Sequence, residues 1–194
     1  MLRTVFLVTV VLVIALGAGA GSVWLMLEQT RSVGSVDVGA WTAFPKAGTP
    51  EADPYSRARA ARLGELSLGQ AEGIVFIADQ DDTGAPLQRQ CSYRIVGNVP
   101  PVRFFTLYAA DQTRRILPAP GRFRAALHSR ELLWSNDEVV EIGVGPHAEP
   151  GNWLPVSGSG QMLLILALFD TPVSTGRSVE DIPLPSIEKI GCDV

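Results

Sequence analysis

The sequence has little lysine, histidine or cysteine, and each shortage excludes something. Lys46 and Lys189 are the only lysines among 16 basic residues, so the positive charge is carried almost wholly by arginine. That bias reads as genome composition first and a binding patch second. The net charge is -4, the wrong sign for a nucleic-acid partner, which calls for a basic face. The two cysteines, Cys91 and Cys192, stand roughly a hundred residues apart and lack the short spacing of a zinc or dithiol redox motif. His128 and His147 are the only histidines, and no internal repeat is evident.

What is present is a chain of 194 residues with 46% hydrophobic side chains. That composition is not one of disorder, and the length supports a real core without metals. The amino-terminal run from Val5 to Leu27 is broken only by Thr9, Ser22 and small residues. About 20 apolar residues cross a bilayer as a helix. Arg3 precedes the run and Glu28 follows it, which favours an inside amino terminus and an exported remainder. Ala18-Gly19-Ala20 is a competing signal-peptidase site. Apolar character resumes at Val23-Trp24-Leu25-Met26-Leu27, and Trp24 suits a membrane interface, so a retained anchor is the favoured reading. Gly17 and Gly21 have the G-x-x-x-G spacing that lets membrane helices approach; the same glycines also fit a signal peptide. The expected organisation is an anchor or uncleaved signal over 1–28, a tether over 29–51, and an exported domain over 52–194. In an exported domain Cys91 and Cys192 are free to pair. Closing that loop is worth about 4–5 kcal/mol in the chain-entropy model; the other reading is two unpaired thiols.

Along the tether, Val33, Val36, Val38 and Trp41 are spaced so that its middle can dock as an edge strand. Asp53-Pro54 then opens a short helix, with Asp53 as N-cap and Pro54 in the first turn, stopping near Gly64. Its Arg57, Arg59 and Arg62 do not share one face. After Gly73 the pattern turns to short strands: Ile74 to Ala78, Gln88 to Val96, Phe104 to Tyr108, Arg114 to Leu117, Glu131 to Trp134 and Val139 to Val144. Alternation in the second of these points Cys91 inward. Asp79 to Gly84 is turn chemistry. Gly151-Asn152-Trp153-Leu154-Pro155 reads as an aromatic turn feeding the continuous apolar run Met162 to Phe169, a strand buried on both faces. Many short strands between Gly and Pro turns indicate an all-β sandwich with one short helix.

Few residues group into chemistry. Asp79, Asp81, Thr83 and Gly84 imitate the start of a calcium loop, but Gln90 stands where a bidentate glutamate is needed. Ser157-Gly158-Ser159-Gly160 lacks the glycine two positions before Ser159 that a nucleophile elbow requires. His128 and Glu131 are three apart, which would bring them together on a helix, whereas Leu132-Leu133-Trp134 reads as strand. His147 lies among prolines with no serine or cysteine tied to it. Trp134 and Trp153, with Asn152, are candidates for a carbohydrate-binding platform, since flat apolar ligands stack on aromatics; the competing reading places them in the core. No metal or cofactor site is expected.

Six stretches carry a family resemblance: Asp53-Pro54-Tyr55-Ser56-Arg57-Ala58, Cys91-Ser92-Tyr93-Arg94, Arg103-Phe104-Phe105-Thr106-Leu107-Tyr108, Gly151-Asn152-Trp153-Leu154-Pro155, Leu166-Ala167-Leu168-Phe169-Asp170 and Leu184-Pro185-Ser186-Ile187-Glu188-Lys189. With these the chain resembles the domain of unknown function 1214 family. The resemblance implies a jelly-roll-like β-sandwich and offers no catalytic residues to carry over. In larger members a second β-rich domain, of the 1254 type, precedes this one. Its replacement here by an apolar segment implies a separately encoded partner. Phe104-Phe105 and Ala167 depart from the bulkier aromatic and basic residues expected there. The expectation is a single-pass protein of the cytoplasmic (inner) membrane with its C-terminal domain in the periplasm. It would act without catalysis, as a binding or accessory subunit beside a partner protein, with an envelope glycan as a further ligand class. The alternative is a glycan-directed hydrolase or lyase using Glu138 or Glu141 with His147. A third reading is an oligomer organised through Gly17 and Gly21.

Overall fold

The computed structural model describes residues 2–29, 34–64, 68, 72–134, 139–171 and 178–192. Helix α1 (Leu2–Gln29) holds an apolar stretch, Leu2–Leu25, long enough to cross a membrane and with none of its residues buried. Helix α2 (Pro54–Leu63) begins and ends where its caps dictate. The Asp53 carboxylate accepts from the Tyr55 and Ser56 amides, and Gly64 closes the helix in the left-handed conformation at φ 64°.

The remaining elements are strands: β1 (Val36–Val38), β2 (Trp41–Ala43), β3 (Gly73–Ala78), β4 (Cys91–Asn98), β5 (Phe104–Ala110), β6 (Ala126–His128), β7 (Val139–Gly145), β8 (Asn152–Pro155), β9 (Leu163–Phe169) and β10 (Ser186–Cys192). They form a six-stranded sheet in the order β1-β2-β3-β9-β5-β6 and a four-stranded sheet in the order β10-β4-β7-β8. Every pairing is antiparallel except that of β7 with β8. The middle of the tether therefore supplies two strands of the large sheet, while Val33 lies outside the described residues.

Strand β9 sits between β3 and β5 and is buried on both faces, as its unbroken apolar run requires. Leu164, Leu166 and Leu168 point into the core between the sheets, against Phe76, Phe105, Tyr93, Ile95 and Ile142. Leu163 and Ile165 point outward and join Ala110, Val75, Ile77 and Tyr108 in a second cluster. Fully burying one such leucine is worth about 1.5–3 kcal/mol, so this strand contributes heavily to both layers. The buried Trp41 indole donates to the Pro185 carbonyl at 2.7 Å, satisfying its one polar atom and pinning the approach to β10 against β2. Cys91 and Cys192 are bonded as a disulfide across the β4–β10 pair, where they are register partners.

Three local expectations give way. Arg114 to Leu117 is not a strand: Arg114 takes φ 63° in a turn on Asp111, and only Ile116 bridges back to Ala110. Glu131 to Trp134 is a loop, because only Leu132 in it finds the core. Asn152 to Pro155 is a strand rather than a turn. It lies at the edge of the small sheet, where a proline without an N–H is tolerated.

Candidate functional site

Of the sequence-predicted residues, Asn152 and Trp153 lie on β8 at the edge of the small sheet, and Asn152 bonds Leu133, the neighbour of Trp134. Strand alternation sends Leu154 into the core and Trp153 to the outer face of the small sheet. The Trp153 indole is half-buried, donates to the Gly145 carbonyl at 3.2 Å, and meets the exposed Phe123 ring edge-on at 5.0 Å. Asn152 spends its whole amide on the backbone. Its Oδ1 accepts from the Leu133 N–H at 2.7 Å, and its Nδ2 donates to the carbonyls of Leu133 at 2.8 Å and Glu141 at 2.9 Å. It thereby clamps the 129–134 loop of one sheet to the edge of the other.

That loop holds Trp134 in place. Its indole N–H donates to the Ser129 carbonyl at 3.3 Å, and its ring sits edge-on to buried Phe105 at 6.1 Å, yet Trp134 stays 47% exposed. Leu133 is 68% exposed and Phe123 59%. Three large apolar side chains thus face solvent on a scaffold fixed by hydrogen bonds, which is what a preformed binding surface presents. Such a surface can stack a flat ligand or seat an apolar knob.

Beside it lies a cluster that the sequence pattern undervalued. His128 and Glu131 pair through His128 Nε2 across the turn that follows β6, and Arg124 shares the same Glu131 carboxylate. The His128 ring rests on Phe104 at 5.6 Å, and its Nδ1 is buried without a partner among the described residues. The i,i+3 spacing was the signal; a β-turn, closed by the Glu131 N–H on the His128 carbonyl at 3.0 Å, joins the pair as a helix would. The pair is built to hold and orient a charge. Its contacts among the described residues are with Arg124 and the Phe104 ring.

The other candidates are dispersed. Glu141 faces outward from β7 and pairs with Arg94 at 3.9 Å, while Arg94 also reaches Glu188 at 3.1 Å. His147 is exposed in the β7–β8 connection. Glu138 lies outside the described residues. Asp81 is almost wholly buried, and its Oδ1 collects the Thr83 N–H, the Thr83 hydroxyl and the Ala85 N–H. Burial pushes its acidity toward the neutral form, but those donors and the charge of Lys189 outweigh it and hold the carboxyl below its ordinary value. Asp82 next door joins β10, accepting from the Ile187 N–H at 2.9 Å. These carboxylates shape a turn, and among the described residues no three His, Cys, Asp or Glu side chains gather to hold a metal. Gly17 and Gly21 lie on the exposed α1 with nothing near them. A small pocket of about 60 Å3 separates α2 from the outer face of β3, lined by Phe44, Ala60, Val75, Ile77, Arg59 and Arg114 among others.

Comparison with known proteins is consistent with the fold. The family described as "Protein of unknown function (DUF1214)" matches residues 72–173. No curated protein matches the chain. Among solved structures it is similar to the VPA0106 protein from Vibrio parahaemolyticus, at 20% identity and a TM-score of 0.58, covering 72% of this chain and 36% of that one. A putative uncharacterized protein from Burkholderia cenocepacia aligns at 16% identity and a TM-score of 0.43, covering 88% of this chain and 50% of that one. The chain therefore spans between about a third and a half of the length of these structures.

Proposed function

The chain belongs to the DUF1214 family of proteins of unknown function, and from that premise we propose that it is a membrane-anchored, noncatalytic binding subunit of the cell envelope. In this reading α1 spans the cytoplasmic membrane and the sandwich stands in the periplasm. The observation that carries it is the union, in one short chain, of an exposed 24-residue apolar helix with a rigidly clamped, solvent-facing aromatic edge. The helix needs lipid. The edge, made by Phe123, Leu133 and Trp134, needs a partner surface.

The partner we infer is a separately encoded protein carrying the companion 1254-type domain. An envelope glycan is the second ligand class, stacked on Trp134 and Phe123. The test is gentle detergent extraction of the tagged full-length protein followed by mass spectrometry. A reproducible companion whose recovery falls with Trp134→Ala and Leu133→Ser supports the subunit reading. Recovery of the protein alone, with the edge variants no different, overturns it. The intact mass from the same sample tests whether residues 1–20 are retained.

A further inference from the structure

We propose that the exposed side of α2 docks on the anionic headgroups of the bilayer that α1 crosses, fixing the orientation of the sandwich on the membrane. The inference rests on reading α1 as an anchor. Gln29 ends α1, and Gly34, the next described residue, already abuts the start of α2: a Cβ at Gly34 would lie 3.0 Å from Asp53 Oδ2 and 3.6 Å from Ser56 Oγ. Five Cα steps span at most about 18 Å even when fully extended. The first turn of α2 is therefore held that close to the end of the membrane helix, and α1 and α2 approach within 8 Å between Cα atoms.

The geometry of α1 puts that end at the lipid surface. Its apolar stretch of 24 residues covers about 36 Å at 1.5 Å per residue, a little more than the ~30 Å hydrocarbon core. The helix then continues to Gln29, through a headgroup layer of roughly 5–7 Å. The ~18 Å is an upper bound set by the chain, and docking brings the arginines to within one Debye length, about 8–10 Å, of the phosphates.

The chemistry of α2 fits the position. Its ten residues hold Arg57, Arg59 and Arg62 and no carboxylate, in a chain of net charge -4. Ser56 is buried toward the domain, and Arg59 lies over the Phe44 ring at 5.2 Å. Tyr55, Arg57, Ala58, Ala61 and Arg62 are exposed; Arg57 stands at one margin of this exposed half of the helix and Arg62 with Tyr55 at the other, so they flank Ala58 and Ala61 rather than share one narrow face. A tyrosine with two guanidinium groups and small residues between them is interfacial chemistry: the ring suits the headgroup level and the cations meet phosphate. Arg57 donates to the Pro50 carbonyl, which occupies one of its five N–H donors and leaves the others for a phosphate.

The test uses the full chain reconstituted in vesicles, with a fluorophore on Ala58→Cys. The native cysteines are consumed in the disulfide, so the label is unique without reductant. The vesicles hold either phosphatidylcholine alone or a mixture with phosphatidylglycerol, each with a headgroup-bound quencher. The expected result is stronger quenching with phosphatidylglycerol, weakened by high salt and by Arg57→Glu/Arg62→Glu. Each arginine removed lowers the docked-to-free ratio about fivefold. Arg62→Glu alone serves if the Pro50 contact proves necessary for folding. An alkaline carbonate wash separates the two ideas. A chain that stays in the vesicles but quenches equally in both lipids overturns the docking and leaves the anchor. A chain washed off overturns the anchor and the docking with it.

Discussion

Replacing Asn152 by alanine tests whether this residue is a clamp or a ligand group. The wild-type amide makes three hydrogen bonds to backbone groups of Leu133 and Glu141. Each intramolecular hydrogen bond contributes about 0.5–1.5 kcal/mol net. Leu133 is largely exposed, so water can reach its freed groups, which places the loss in the lower part of the summed range, about 1.5–3 kcal/mol. For a domain of roughly 150 residues that corresponds to a fall of about 3–12 °C in Tm. The assay is thermal unfolding of the full-length protein in detergent, followed by near-ultraviolet circular dichroism, which reports on Trp134 and Trp153 beside the clamp. Asn152→Asp retains the acceptor for the Leu133 N–H but turns a second oxygen on two carbonyls, so it should be no more stable than alanine. An alanine variant with unchanged Tm and a weakened partner or glycan interaction would refute the clamp and make Asn152 a recognition group.

Four further outcomes follow from the same geometry. Cys192→Ser opens a loop of sequence separation 101 and should cost about 2–5 kcal/mol in urea unfolding under non-reducing conditions; an unchanged midpoint would deny the bridge a role in stability. Gly73→Ala drives a Cβ into the Leu168 carbonyl on the neighbouring strand, so the folded yield should collapse or the stability fall by about 1–3 kcal/mol or more; a wild-type melt would contradict the close approach. The pKa values of Asp53, Asp81 and Asp111 are all held below the ordinary carboxyl value: in Asp81 burial opposes this but is outweighed by the Thr83 hydroxyl and nearby amides, and in Asp53 and Asp111 the hydroxyls of Ser56 and Thr113 lead, with nearby amides. A depressed folded value adds stability above the unfolded value of 3.8 that is lost as pH falls through the lower folded values, so stability should decline from about pH 5 downward. Asp81→Asn should flatten that decline, and an identical acid limb in the variant would count against it. Trp153→Ala, which removes a half-buried ring packed on Phe123, should destabilise clearly more than Trp134→Ala, whose ring is half in solvent; the reverse order of melting temperatures would invert the assignment of the two rings.

Much of the fold was legible because its signals are local. Asp53-Pro54 and Gly64 bracket α2 with side-chain and backbone chemistry that needs no distant partner. The apolar run of β9 declares a strand buried on both faces, and alternation in β4 turns Cys91 inward to meet Cys192. What was not legible depends on contacts far along the chain. Gly151 and Pro155 dominate their stretch as turn signals, yet β7 alongside converts it to a parallel edge strand. Leu132-Leu133-Trp134 has strand composition, but Asn152, nineteen residues downstream of Leu133, holds it as a loop. The closing segment pairs with β4 some ninety residues earlier, through Ile187 and Ile95 for example, and nothing in its own sequence says so. The candidate site was legible as residue types, with Trp134, Trp153 and Asn152 singled out. Their division into exposed ring, half-buried ring and clamp was not, because burial is a property of the assembled sandwich.

The way the sheet edges are closed bears on how a partner can bind. A long open edge invites another strand. Here the outer edge of β10 is engaged at its start, since the Asp82 N–H donates to the Ile187 carbonyl and the Ile187 N–H returns to Asp82 Oδ2, and a register shift between Lys189 and Gly191 breaks the strand further on. The turn that presents Asp82 is itself set by the three donors on Asp81. β8 offers four residues ending in a proline, and β1 and β6 offer three each. None of these edges presents the row of five or six free backbone groups of an ordinary strand. Strand addition is therefore a poor route for recognition in the binding-subunit reading. Recognition falls instead to side chains: exposed Leu133 and Trp134 sit on the loop that Asn152 ties to the small sheet, and exposed Phe123 packs on Trp153, the next residue of β8. Substitutions there should alter binding without loosening the sheets, whereas substitutions at Asp81 or Asp82 should loosen β10 without touching the aromatic edge. Limited proteolysis separates the two: early cleavage near β10 in an Asp82→Ala variant that still retains its partner is the expected pattern. Loss of the partner in that variant, with β10 still protected, would place recognition on the β10 side.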